Sequence, residues 1–274
     1  MIIDSHTHLC GQPHTKEPVV WKIVEGGSFT APFTRAEGKV DLLLRDMDER
    51  GVDKAVVMGF LDQISNEQLS ELMREHPERI IGFAGVADPK SEDSVAMLKK
   101  AVGELGLRGL KLHPDLHSFS PADPEIEPLI RCAAELDVPV LIHCYPGGMV
   151  RGYFNLNTPG HIDTLKRRVP EATIIVGHMA WPRYLDLLHI GQIPGVYVET
   201  SWGLTSIAEL NGTAYTSRLL RMIGIDNIVF GSDWCCVQIG MEQERQIRLI
   251  ESLDLTREEK DKILGRNMRR VLNL

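Results

Sequence analysis

No apolar run in the chain approaches the roughly 18–20 residues needed to span a bilayer. No basic segment precedes an apolar stretch at the N-terminus, so neither a membrane helix nor a secretory signal is expected. Cysteine is sparse: Cys10, Cys132, Cys144, Cys235 and Cys236 form no C-x-x-C pair and leave one unmatched. This excludes a disulfide framework and fits a reducing compartment, so a cytoplasmic location is expected, with Cys235 and Cys236 as reduced thiols. Positive charge is not in excess either. Lys and Arg number 30 against 38 Asp and Glu, a formal net charge of −8. That dispersed acidity argues against nucleic acid and anionic membranes as partners. There is no linker-like or low-complexity break, so residues 1–274 are read as one domain.

What is present is a repeated unit. Composition is ordinary for a globular protein, at 43% apolar and 25% charged residues. The length of 274 residues suits a (β/α)₈ barrel of about 250 residues. Short apolar runs recur along the chain. After Ile2-Ile3 they fall at 54–60, 80–87, 107–113, 138–143, 172–178, 195–200 and 227–233. Helical segments are expected at 40–47, 66–79, 91–105, 124–136, 159–169, 184–188 and 217–223, with two more at 241–253 and 257–272. Near-continuous apolar strands imply burial on both faces, as in a parallel sheet covered by helices. Eight such units close an α/β barrel, with extra helix at the C-terminal end. The stretch 11–38 lacks clear periodicity and is read as a loop over the site, with Trp21 and Phe29 as cover.

Chemistry enters at the strand ends. His6 and His8 are two residues apart, so on a strand they point the same way, with Cα atoms roughly 6.5–7 Å apart. Two imidazoles at that spacing can share one cation. The C-terminal ends of barrel strands open on one face, and there the sequence also places Lys111, His113, His143, His178 and Asp233. Any one of these histidines could be a satisfied core residue; the set is not explained that way. Imidazoles plus a carboxylate suit a first-row divalent metal, zinc being the usual occupant and Mn, Fe or Co the alternatives. His6, His8, His143 and Asp233 are assigned as ligands, with His178 completing the shell or standing beside it. Arg151, Trp181 and Arg183 follow strands five and six on rim loops, where an arginine suits a substrate carboxylate. Glu199 is read as a buried, paired carboxylate and Asp4 as a hydrogen-bonding support for a first-strand neighbour. Cys10, Cys144 and Cys235 are read as small packing residues.

Asp4-Ser-His6-Thr-His8, Gly109-Leu-Lys111-Leu-His113-Pro, Ile142-His143-Cys, Val176-Gly-His178, Phe230-Gly-Ser-Asp233 and the closing Asn267-Met-Arg-Arg-Val-Leu resemble the amidohydrolase superfamily. Within it they are most similar to the amidohydrolase-related (amidohydrolase family 2) branch, which includes aminocarboxymuconate-semialdehyde-type decarboxylases. One departure is Met268, where the family usually carries Ala, a change that touches packing. The resemblance implies a distorted TIM (β/α)₈ barrel and a metal held by His6, His8, His143 and Asp233, with His178 acting on substrate or metal-bound water. Binuclear relatives place a carboxylated lysine or a glutamate on strand four, so Lys111 could bridge two metals. One metal is preferred, with Lys111 and His113 contacting substrate.

The expected activity is that of a metal-dependent hydrolase attacking a small carbonyl compound: an amide, ester or lactone, with carboxylated ones among the candidates. Asp233 would take the water's proton and His178 would stabilise the oxyanion. The same parts could instead run a non-oxidative decarboxylation. The expected partner is a small molecule, and the sequence leaves room for a homo-oligomer.

Overall fold

A computed structural model describes residues 1–9, 20–22, 28–30, 40–59, 64–144, 158–234 and 243–274. Cys10, Cys235, Cys236 and Arg151 lie outside the described residues. Two short strands, β2 (Val20–Lys22) and β3 (Ser28–Thr30), pair antiparallel within the stretch expected to be a plain loop, with Trp21 and Phe29 opposite one another in register.

All eight anticipated barrel strands form. They are β1 (Ile3–Thr7), β4 (Lys54–Met58), β5 (Ile80–Phe83), β6 (Leu110–Leu112), β7 (Val140–Ile142), β8 (Ile174–Val176), β9 (Val196–Glu199) and β10 (Ile228–Val229). Several are shorter than their apolar runs, because the last residues of each run turn away to build the mouth. The strands are parallel and divide into two sheets, β1-β4-β5 and β10-β9-β8-β7-β6. Isolated bridges, Thr7 with Trp234 and Ala84 with Leu110, join the sheets at both seams. These contacts stand in for full ladders, which is the distortion of this TIM-type barrel.

Side-chain parity explains the interior. Ile3, Val56, Met58, Ile81, Phe83, Leu141, Ile175 and Val229 meet as one buried cluster, closed by Met268, Val271 and Leu272 from the C-terminal helix. Met268 thus plugs the floor of the barrel. Strict alternation from Ile3 would turn Ser5 and Thr7 inward. Instead the register with β4 shifts between Asp4 and Thr7: Asp4 pairs with Ala55 and Thr7 with Val57, so Ser5 and His6 together oppose Val56. One extra residue switches the face, and His6 and His8 follow Ile3 into the barrel.

Helices cover the outside, two of them unanticipated: Pro114–His117 and Gly203–Asn211. The final helix is interrupted by a π-helical turn at Lys262–Arg266, which brings the Ile263 carbonyl to the Phe230 amide at 2.9 Å. The β1–β10 seam is sewn by Ser5 N to Phe230 O (2.9 Å), Asp233 N to His6 O (2.8 Å) and His8 N to Trp234 O (3.0 Å). Asp4, fully buried, locks it. Its carboxylate accepts from Ser232 N at 2.9 Å, Ser232 Oγ at 2.6 Å and Gln243 Nε2 at 2.8 Å. Burial pushes its carboxyl up to about 6 despite these donors.

Asp4→Ala should therefore cost about 3–5 kcal/mol, since it strands four buried donors, the His6 amide at 3.3 Å among them, whereas the isosteric Asp4→Asn should cost less. Urea unfolding midpoints measure both. A wild-type midpoint for the alanine variant would show that the seam holds without this carboxylate.

Candidate metal centre

The mouth is polar where the floor is apolar. His6, from the end of β1, turns Nε2 towards His8 Nε2 at 3.1 Å and Asp233 Oδ1 at 3.5 Å, and His8 Nε2 lies 3.1 Å from the same oxygen. Two donors each about 2.1 Å from one ion stand about 3.0 Å apart at right angles and about 3.4 Å apart at the tetrahedral angle. The trio matches those separations, so these residues fit a divalent cation. The other ring nitrogen of His6, Nδ1, lies 3.0 Å from Glu199 Oε2, the carboxylate–histidine arrangement that orients a ligand imidazole.

Backbone geometry aims the trio and its neighbours. Asp233 sits at φ 60°, a left-handed conformation that turns it out of the strand path. His178, Met179 and Ala180 follow β8 with φ of 57°, 51° and 49°. Three consecutive left-handed residues without a glycine are costly. His178 is therefore re-aimed by a strained turn, not carried on a strand as its apolar run suggested. The turn is held by Glu199, whose Oε2 accepts the His178 amide at 3.1 Å. It is also held by Gly203, where an added Cβ would strike the His178 carbonyl.

His143, expected as a ligand, lies beside the trio. Its Nδ1 is 2.8 Å from His178 Nε2, and the His178 ring centroid is 5.1 Å from that of His6. His143 also stacks on His113, centroids 3.7 Å apart and planes at 15°. His113, Asp115 and His143 bring ligand atoms within 4.8 Å of one another. The near-parallel rings keep their lone pairs in separate planes about one ring-stacking distance apart, so an ion between them would lie well out of both ring planes. Lys111, buried, places Nζ 3.1 Å from His6 Nε2. Trp181 stacks on Tyr184 with planes at 3°, and Arg183 pairs with Asp186 at 3.2 Å on the surface. Both engage their own segment. Ser201 escaped the sequence reading; its spacing of two from Glu199 was the available signal, and its Oγ lies 2.8 Å from both His178 Nδ1 and Glu199 Oε2.

Burial sets the protonation states. It drives His6 and His113 well below the ordinary imidazole range, with the Lys111 charge adding to the effect. His8 is lowered by burial too, and His178 falls to about 4. These imidazoles are neutral near pH 7, the form that binds metal. Burial lowers Lys111 to about 8 against the pull of Asp233 and Glu199, and raises Glu199 to about 7. At Asp233 burial opposes ionisation. The His8 hydrogen bond, the charges that His8 and His178 gain only at low pH, and the Lys111 charge together outweigh it and hold the carboxyl below its usual range.

Gly203→Ala should press a methyl group into the His178 turn, costing about 1–3 kcal/mol in urea unfolding together with a loss of turnover. An unchanged midpoint would show that the turn yields freely.

Comparison with known proteins shows the family. The amidohydrolase family model matches residues 3–274. Over 83 residues the chain is 28% identical to 2-amino-3-carboxymuconate-6-semialdehyde decarboxylase of Dictyostelium discoideum, spanning 30% of this chain and 23% of that protein. Over 242 residues it is 24% identical to 2-keto-4-carboxy-3-hexenedioate hydratase of Sphingobium sp. (strain NBRC 103272 / SYK-6), covering 76% of this chain and 70% of the hydratase. Among solved structures, 5-carboxyvanillate decarboxylase of Novosphingobium aromaticivorans, with bound manganese, superposes with a TM-score of 0.72 at 18% identity, covering 100% of this chain and 97% of that one. The chain belongs to the amidohydrolase family, and it is an enzyme.

Proposed function

We propose that this protein is a metal-dependent hydrolase that activates water beside a divalent cation to attack a small, carboxylated carbonyl substrate. The observation that carries the proposal is the meeting of His6 Nε2, His8 Nε2 and Asp233 Oδ1 at 3.1, 3.1 and 3.5 Å beside a buried ammonium, Lys111. His6, His8 and Asp233 would hold the ion, while His143 and His178 complete its surroundings or meet the substrate. Zinc suits two imidazoles and a carboxylate; manganese occupies one structural relative. When bound, the ion supplies a Lewis acid that polarises a carbonyl and lowers the pKa of water.

The chain's own groups do the rest. Asp233 is ionised and sits at the mouth, placed to accept the proton of the attacking water and pass it to the leaving group. Lys111 and a cation cannot share the His6 Nε2 lone pair. With the ion in place, the buried Lys111 ammonium would stand beside it as a positive charge for a substrate carboxylate to meet. His113, Trp181, Arg183 and Arg151 are the further substrate contacts proposed. The enzyme works as one domain, 1–274, in the cytoplasm.

A second reaction, non-oxidative decarboxylation, is favoured by the names of two of the relatives, both decarboxylases. Metal-replete enzyme incubated with carboxylated lactones, amides and enol acids separates the two. Hydrolysed product without carbon dioxide is expected; carbon dioxide without hydrolysed product would overturn the hydrolase assignment.

Asp233→Ala should lower kcat by about 10²–10⁴-fold and reduce bound metal measured by elemental analysis. Wild-type turnover in this variant would rule out the mechanism. Lys111→Met should raise KM for a carboxylated substrate about 10–100-fold, the worth of a charged hydrogen bond. The ammonium is present below its pKa and lost as pH rises through about 8. The wild-type kcat/KM profile should accordingly fall on that side, and the variant's should not.

A further inference from the structure

We infer that Glu199, with Ser201 as its relay, fixes His6 and His178 in the same tautomer, with the proton on Nδ1 and the lone pair on Nε2. The consequence for catalysis rests on the metal-dependent chemistry proposed above; the tautomers themselves do not.

Glu199 is fully buried at the end of β9. Its Oε2 lies 3.0 Å from His6 Nδ1, 3.1 Å from the His178 amide and 2.8 Å from Ser201 Oγ, while Oε1 receives the Ser201 amide. Backbone amides can only donate, so both oxygens already act as acceptors, and Lys111 Nζ, 3.1 Å from His6 Nε2, donates to that nitrogen. His6 Nδ1 must therefore bring the proton to its contact with Oε2. The second arm follows from counting hydrogens. Ser201 Oγ has one hydrogen and two close partners, Glu199 Oε2 and His178 Nδ1, each at 2.8 Å. Given to the histidine, that hydrogen would leave two oxygens facing each other lone pair to lone pair in a buried site. Given to the carboxylate, it leaves a serine lone pair to accept from His178 Nδ1–H, and every contact is satisfied. His178 Nε2 is then an acceptor, which matches the His143 Nδ1 atom 2.8 Å away as donor in the metal-free protein.

The space for this carboxylate is built in. A Cβ on Gly231, across on the β10 side, would collide with the Glu199 carboxyl group. One carboxylate thus serves two imidazoles, and both present lone pairs to the mouth. His178 is consequently a metal ligand or a proton acceptor. In this tautomer its Nε2 has no hydrogen to give an oxyanion, which favours the ligand among the roles the sequence left open for it.

The test is a long-range ¹H–¹⁵N correlation spectrum of metal-free, ¹⁵N-histidine-labelled protein, with His6 and His178 assigned from single His→Gln variants. Both should show Nδ1 protonated and Nε2 bare; a proton on Nε2 of either overturns the inference. Ser201→Ala should release His178 from its single tautomer and leave His6 unchanged, and Ser201→Thr should restore His178. An unaltered His178 pattern in the alanine variant would eliminate the relay. Glu199→Gln should weaken cobalt binding, followed by its visible absorption, about 10–100-fold; wild-type affinity would eliminate the His6 arm. Should Glu199→Gln fail to fold, the wild-type and Ser201 spectra still decide. Because those spectra need neither metal nor substrate, they stand even if no hydrolysis is found.

Discussion

A strand has only two faces, and the first strand of this barrel needs one of them twice. Its lower half must present Ile3 to an apolar floor, and its upper half must present two imidazoles to a polar mouth, on the same side. Spacing alone forbids this, since Ile3 and His6 differ by an odd number. The extra residue opposite Val56 resolves the conflict. The rest of the mouth depends on it, because Asp233 and Glu199 are positioned against His6. Without the bulge, Ser5 and Thr7 would face them.

Above the floor, charges that would be costly singly are arranged to need each other. Glu199, Asp233 and Lys111 are all buried, and each ionised group is met by donors or by opposite charge. The surface pairs are of another kind. Arg257 with Glu251 and Asp261, or Arg131 with Glu127, are exposed and worth little individually. Electrostatic organisation is concentrated where water is scarce, and the neutral histidines there are a product of the same scarcity.

Much of this could be read from residues in order. Eight apolar runs gave eight strands, because burial on both faces leaves a plain compositional mark. His6, His8 and Asp233 converge as expected from strand-end position. Other features were hidden, each for a physical reason. The bulge is a property of pairing between β1 and β4, which neither segment carries alone. The left-handed turn at 178–180 has no glycine to announce it; its permission comes from Gly203, some twenty-five residues later and packed underneath. Ser201 matters only through its distances to two other residues. His143, the other strand-end histidine expected to hold the ion, joins the cluster through His178 and stacks on His113. The hairpin β2–β3 lacked the length or alternation that would mark it.

The plugged floor makes the barrel a blind vessel. Met268, Val271 and Leu272 seal it below, so among the described residues the way to the histidines is from the mouth and not through the floor. A cation seated on His6 and His8 is then the deepest guest. A substrate arriving from the mouth would settle above it, so occupancy itself would help to retain the ion that occupancy requires.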